Sequence, residues 1–115
     1  MCSVFSDDES KKDLYDLFMN KTNSQDLETI CYEKLRLLLE SDERDGTEYF
    51  KTLYTYLENG NSYIRTAEKL FIHRNTVFQR MKKISELLQA DFSDFSVACE
   101  YYTMLTILKK RKGVE

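Results

Sequence analysis

The sequence has no proline, no tryptophan, a single histidine, three glycines and three cysteines among its 115 residues. Without proline no position is barred from a helix interior, and so few glycines leave little from which to build the frequent tight turns of an all-β domain. No apolar run is longer than Leu37-Leu38-Leu39, far short of the roughly 20 residues of a membrane-spanning helix. The start, Met1 to Asp8, lacks the basic and apolar blocks of a signal peptide, so a cytoplasmic location with no membrane association is expected. Cys2, Cys31 and Cys99 are odd in number and widely separated, which fits neither a disulfide framework nor the paired spacing of a zinc or redox site. Reduced thiols and no metal are expected. One histidine without a ligand cluster or a visible nucleophile beside it argues against catalysis, and no cofactor motif is present.

What is present is charge with a strong polarity along the chain. The net charge is −3. Met1 to Glu48 carries 13 acidic and 6 basic residues, whereas Arg65 to Lys83 carries six basic residues and one acid, Glu68. A local positive field is what phosphate neutralisation needs, and an acidic remainder orients the approach of one face.

Length permits one real core. Apolar spacing at steps of three and four predicts an all-α fold of five or six helices around that core, containing a helix-turn-helix. The first helix, Asp8 to Asn20, groups Leu14, Leu17 and Phe18. A second, Asp26 to Ser41, turns Leu27, Ile30, Cys31, Leu35 and Leu38 to one side. A third, Thr47 to Glu58, buries Phe50, Leu53, Tyr56 and Leu57 and stops at Asn59-Gly60, where glycine tolerates a left-handed cap. A short fourth helix, capped by Asn61 or Ser62, faces Ile64, Ala67, Leu70 and Phe71 inward. The fifth, Arg74 to Leu88 behind His73 as N-cap, carries a buried stripe of Val77, Met81, Ile84 and Leu88. The last, Ser93 to Lys110, returns Val97, Tyr101, Met104 or Leu105, and Leu108 to the core. The expected division is an N-terminal helix and linker over residues 1–25 and a helix-turn-helix domain over 26–112.

Two short helices joined by a turn of some three residues match the helix-turn-helix plan, although plain helical hairpins share it. The outer surface of the fifth helix adds weight. At about 100° per residue, Asn75, Gln79 and Lys82 project within about 40° of the direction opposite the buried stripe, with Thr76 and Lys83 beside them. Asn and Gln suit the N6/N7 edge of adenine, Arg the O6/N7 edge of guanine, and Thr a base edge or a thymine methyl. His73, Arg74, Asn75, Thr76 and Gln79 are therefore the candidate base contacts. Ser62, Tyr63, Arg65, Lys82 and Lys83 are the candidate backbone contacts. Arg74 in a first helical turn opposes the helix dipole, and a DNA contact would compensate it. Phe78, about 100° from the stripe, either packs at the core edge or meets a thymine methyl.

The run Thr66-Ala67-Glu68-Lys69-Leu70-Phe71-Ile72-His73-Arg74-Asn75-Thr76-Val77, followed by Arg80-Met81, Ile84 and Glu86-Leu87, resembles the C-terminal helix-turn-helix of PucR/CdaR-type bacterial regulators. The likeness runs from about Leu27 to Lys109, with His73-Arg74-Asn75-Thr76-Val77 as its specific core, and the turn also looks like the more distant Fis-type helix-turn-helix. The resemblance implies a transcription factor that carries a sensory or effector region before this domain. Departures are Phe78 where the family often has a basic residue, Gln79 where an aromatic is common, and no glycine near Gln89 or Ala90. With no effector region before Asp8, an excised domain, a partner-dependent fragment and a stand-alone regulator all remain open. The partners expected are double-stranded DNA and a second copy in a homodimer, held through the N-terminal or the last helix. The rival reading is a protein-interaction or dimerisation module without base readout, docking through its acidic N-terminal helices.

Overall fold

The computed structural model describes the backbone of residues 24–112 and the side chains of 28–110. The helix expected over Asp8 to Asn20, with Leu14, Leu17 and Phe18, lies outside the described residues. Those described form five helices, α1 (Ser24–Asp45), α2 (Tyr49–Glu58), α3 (Tyr63–Leu70), α4 (Arg74–Leu88) and α5 (Phe95–Lys112), with no strand among them. The all-α expectation holds, and α4 has the bounds its apolar spacing predicts.

Helix α1 runs four residues beyond the expected Ser41, because nothing in Asp42-Glu43-Arg44-Asp45 breaks a solvent-facing turn. It stops where Gly46 takes a left-handed φ of 72° and its N–H bonds to the Asp42 carbonyl at 3.1 Å. The extension gives Asp42 a second task. Its carboxylate accepts from the Tyr49 N–H at 2.8 Å, the Phe50 N–H at 2.9 Å and the Thr47 hydroxyl, so the end of α1 caps the start of α2. Glu48, at the N-cap position itself, makes no side-chain cap bond, which is why α2 depends on the neighbouring helix.

The end of α2 follows the expected glycine stop. Gly60 has φ 65°, its N–H bonds to Leu57 O, and the Asn61 N–H bonds to Tyr56 O, the paired pattern that satisfies the last carbonyls of a helix. Asn61 then donates through Nδ2 to the Phe92 carbonyl at 2.8 Å, tying this corner to the α4–α5 connection. In that connection Gln89 adopts φ 50° and takes the left-handed position that a glycine would otherwise occupy. Asp94 accepts from the Ser96 and Val97 N–H groups and opens α5 two residues later than expected.

One core joins all five helices. Cys31, Leu35 and Leu38 of α1, Leu53 and Tyr56 of α2, Ala67 of α3, Val77, Met81 and Ile84 of α4, and Met104, Leu105 and Leu108 of α5 are buried together with Phe92. Helix α2 packs on each of the other four and is the central strut. Two expected inward residues face solvent instead. Ile64 is 54% exposed and Phe71 93% exposed, because Thr66 and Ala67 occupy the inner side of the short α3. Thr66 is buried without penalty, since its hydroxyl donates to Ser62 O at 2.6 Å.

Candidate nucleic-acid interface

Helices α3 and α4 are separated by Phe71, Ile72 and His73 alone. Ser62 caps α3 by accepting from the Arg65 N–H at 3.1 Å. The chain leaves α3 through Phe71 in the left-handed region, φ 59° and ψ 44°, and the Ile72 N–H returns to Ala67 O at 3.1 Å. That left-handed residue ends α3 and turns the chain toward α4. His73 is extended, φ −75° and ψ 146°, and its Nδ1 accepts from the Asn75 N–H at 3.0 Å. An accepting Nδ1 leaves the proton of the neutral ring on Nε2, so the exposed His73 is both the cap of α4 and a hydrogen-bond donor beside it.

Helix α4 turns Val77, Met81 and Ile84 to the core. His73, Arg74, Asn75, Gln79, Lys82 and Lys83 are exposed, and Thr76 is half-buried. Four of these residues stand at or next to the N-terminal turn, where the helix dipole favours an anion. No acidic residue lies in that turn, and Arg74 has no acidic partner among the described residues. On α3, Arg65 and Lys69 are also exposed.

The two shoulders of α4 are held differently. Phe78, 47% exposed, sets its ring edge-on to Tyr63 with centroids 5.6 Å apart, and Tyr63 in turn lies 5.3 Å from Tyr56. Burial, and then the hydrogen bond with Tyr63, push the Tyr56 phenol well above its ordinary value. On the other shoulder Arg80 donates from Nη1 to Thr52 Oγ1 at 3.1 Å and lies 3.6 Å from the Glu48 carboxylate. Thr52 is fully buried, and its hydroxyl donates to the Glu48 carbonyl at 2.7 Å.

This arrangement, two short capped helices with a polar outer face on the second, coincides with a family. The family model for the PucR C-terminal helix-turn-helix domain matches residues 49–107, from the first residue of α2 into α5. The chain belongs to this family. Among curated proteins, the Proline-responsive transcriptional activator PutR of Bacillus subtilis (strain 168) is 44% identical over 77 residues, 67% of this chain and 19% of PutR. The Purine catabolism regulatory protein of the same organism is 36% identical over 70 residues, 61% of this chain and 13% of that protein. The chain thus spans less than a fifth of the length of either relative. No solved structure matches. The resemblance read in the sequence is therefore correct, and the molecule is a helix-turn-helix domain of the transcription-regulator type.

Within this PucR-type domain the sequence-derived residues fall into two groups. His73, Arg74, Asn75 and Gln79 share the exposed side of α4 with Lys82 and Lys83, and Arg65 is exposed on α3. Ser62, Tyr63 and Thr76 are more committed to the fold, Ser62 as a cap, Tyr63 between two rings, and Thr76 partly covered. Arg80 is a correction. It counts toward the basic stretch in the sequence, yet it is half-buried and bonded to α2. The signal was available: Arg80 lies only about 70° from the centre of the buried stripe.

Proposed function

We propose that this domain binds double-stranded DNA, with α4 in the major groove reading base edges and the flanking cations meeting phosphates. The observation that carries the reading is the position of His73, Arg74, Asn75 and Gln79 on the exposed side at the N-terminal half of a helix whose opposite side is locked in the core. Arg74, Asn75 and Gln79 have the donor and acceptor patterns for guanine and adenine edges, and Thr76 adds a hydroxyl and a methyl. His73 supplies an Nε2–H donor next to them, and Lys82 and Lys83 follow one or two turns on, where they suit backbone oxygens. Ser62, Tyr63 and Arg65, at the entry to α3, complete the backbone contacts.

The functional unit is a homodimer on a two-fold site, as helix-turn-helix domains commonly are, paired through the N-terminal stretch or α5. The domain belongs to a cytoplasmic regulator whose effector region lies outside it, in keeping with the small share of its relatives that it spans. The second reading, a protein-docking module without base readout, draws on the exposed rings of Phe71 and Phe95.

Anisotropy titrations on a duplex and its single-base variants separate the two. Asn75→Ala should cost about 1–3 kcal/mol at one base position and little elsewhere. Lys82→Ala should weaken every duplex alike and reduce the salt slope by about 0.9. Equal losses on all sequences for both variants would remove base readout.

A further inference from the structure

Arg80 stands inside the basic stretch of a DNA-binding helix, yet its guanidinium is directed into the protein. We infer that Arg80 is a positioning residue for sequence reading, fixing the roll of α4 about its axis through Thr52 and Glu48, and is not one of the cations that meet phosphate. The inference rests on the reading of α4 as the recognition helix.

Three observations carry it. Arg80 is 25% exposed on its side chain, whereas Lys82 and Lys83 on the same helix are exposed. Its Nη1 bonds to a hydroxyl on a residue with no accessible surface, so Thr52 offers a fixed acceptor whose orientation is set by its own bond to the Glu48 carbonyl. The Glu48 carboxylate, 3.6 Å away and 58% exposed, adds a weaker, screened attraction. Arg80 and Phe78 occupy opposite shoulders of α4, the one bonded to α2 and the other packed on Tyr63 of α3. Apolar packing along a single stripe tolerates some rotation of a helix about its axis. A directional hydrogen bond on one shoulder and an edge-on ring on the other do not. Asn75 and Gln79 project from the far side of the same helix, so a change of roll moves their amides sideways across the base edges, where bidentate bonds tolerate little displacement. Phosphate contacts made by long lysine side chains absorb the same movement.

The consequence is a loss of discrimination without a loss of counterion release. The test uses the full chain, a duplex enriched from a random pool by the wild-type protein, and an unrelated duplex of the same length. Each is titrated at several salt concentrations with protein shown by helical circular dichroism to be folded. Arg80→Met should lower the ratio of affinities for the two duplexes by about tenfold, the scale of one hydrogen bond to a charged group, and leave the salt slope unchanged. The double variant Glu48→Gln with Thr52→Val keeps the arginine but removes the hydroxyl it bonds to and the negative charge beside it, and it should lower the ratio in the same direction. If Arg80 instead neutralises phosphate, Arg80→Met lowers the slope and weakens both duplexes, and freeing the arginine strengthens both. Either result overturns the inference, as does an unchanged ratio in both variants. Failure of the wild-type protein to enrich any duplex overturns the reading of α4 itself and the inference with it.

Discussion

Phe71 has an aromatic ring 93% exposed to solvent, which gains almost no burial on folding, and a left-handed backbone, φ 59°, that a residue with a Cβ seldom adopts. Glycine removes the backbone cost and forfeits little burial. Phe71→Gly should therefore raise unfolding stability by about 0.5–1 kcal/mol, after allowance for the extra freedom glycine has in the unfolded chain. Equilibrium urea unfolding checks this, and a decrease would mean that the ring contributes contacts to the fold. Cys31 shows the opposite situation, a thiol buried in the core. Burial, then the charge of Glu28, push it up from an ordinary value of 9.0 to about 11. The unfolded chain releases this proton from about pH 9 and the folded chain only near pH 11, so the contribution is constant below that interval and stability falls as pH rises through it. Cys31→Ala should flatten the lower part of that decline, before the raised phenols of Tyr56, Tyr101 and Tyr102 add to it.

At the scale of elements, the caps are shared between neighbours. Asp42 sits in α1 but satisfies the first N–H groups of α2, so the α1–α2 corner is held by one carboxylate. Asp42→Ala should cost about 1–2 kcal/mol, at the upper end of a cap, because two backbone donors and the Thr47 hydroxyl lose their acceptor together. Thermal unfolding followed at 222 nm checks it, and Ser62→Ala, which removes a single cap bond on α3, should cost less. These elements also show what a sequence makes legible. The bounds of α4 follow from four apolar residues at regular spacing and a capping residue before them, both local signals. Asp42 reads locally as part of a charged turn, and its partners lie seven and eight residues ahead. Ile64 and Phe71 have the spacing of an inner face, but a helix of eight residues can satisfy its core with Thr66 and Ala67. Arg80 reads as one more cation because Thr52 lies 28 residues away, and no local pattern joins them.

For the whole molecule, the central strut α2 ties the acidic α1 to α4: it is capped by Asp42 at its start and bonded to Arg80 within its first turns. Leu53 is fully buried on this strut: Leu53→Ala should cost about 2–5 kcal/mol in urea unfolding, a large share of the stability of a domain this size. The basic stretch stays at the surface with one change, since Arg80 is withdrawn toward α2 while Arg65, Lys69, Arg74, Lys82 and Lys83 remain exposed on α3 and α4. The measurement that tests the account most directly is selection from a random duplex pool at two salt concentrations, with the wild-type chain and the Arg74→Ala, Asn75→Ala double variant side by side. The account requires enrichment of a two-fold symmetric site by the wild type, weakened by salt and lost in the double variant. Identical enrichment by both proteins, or none by either, would contradict it.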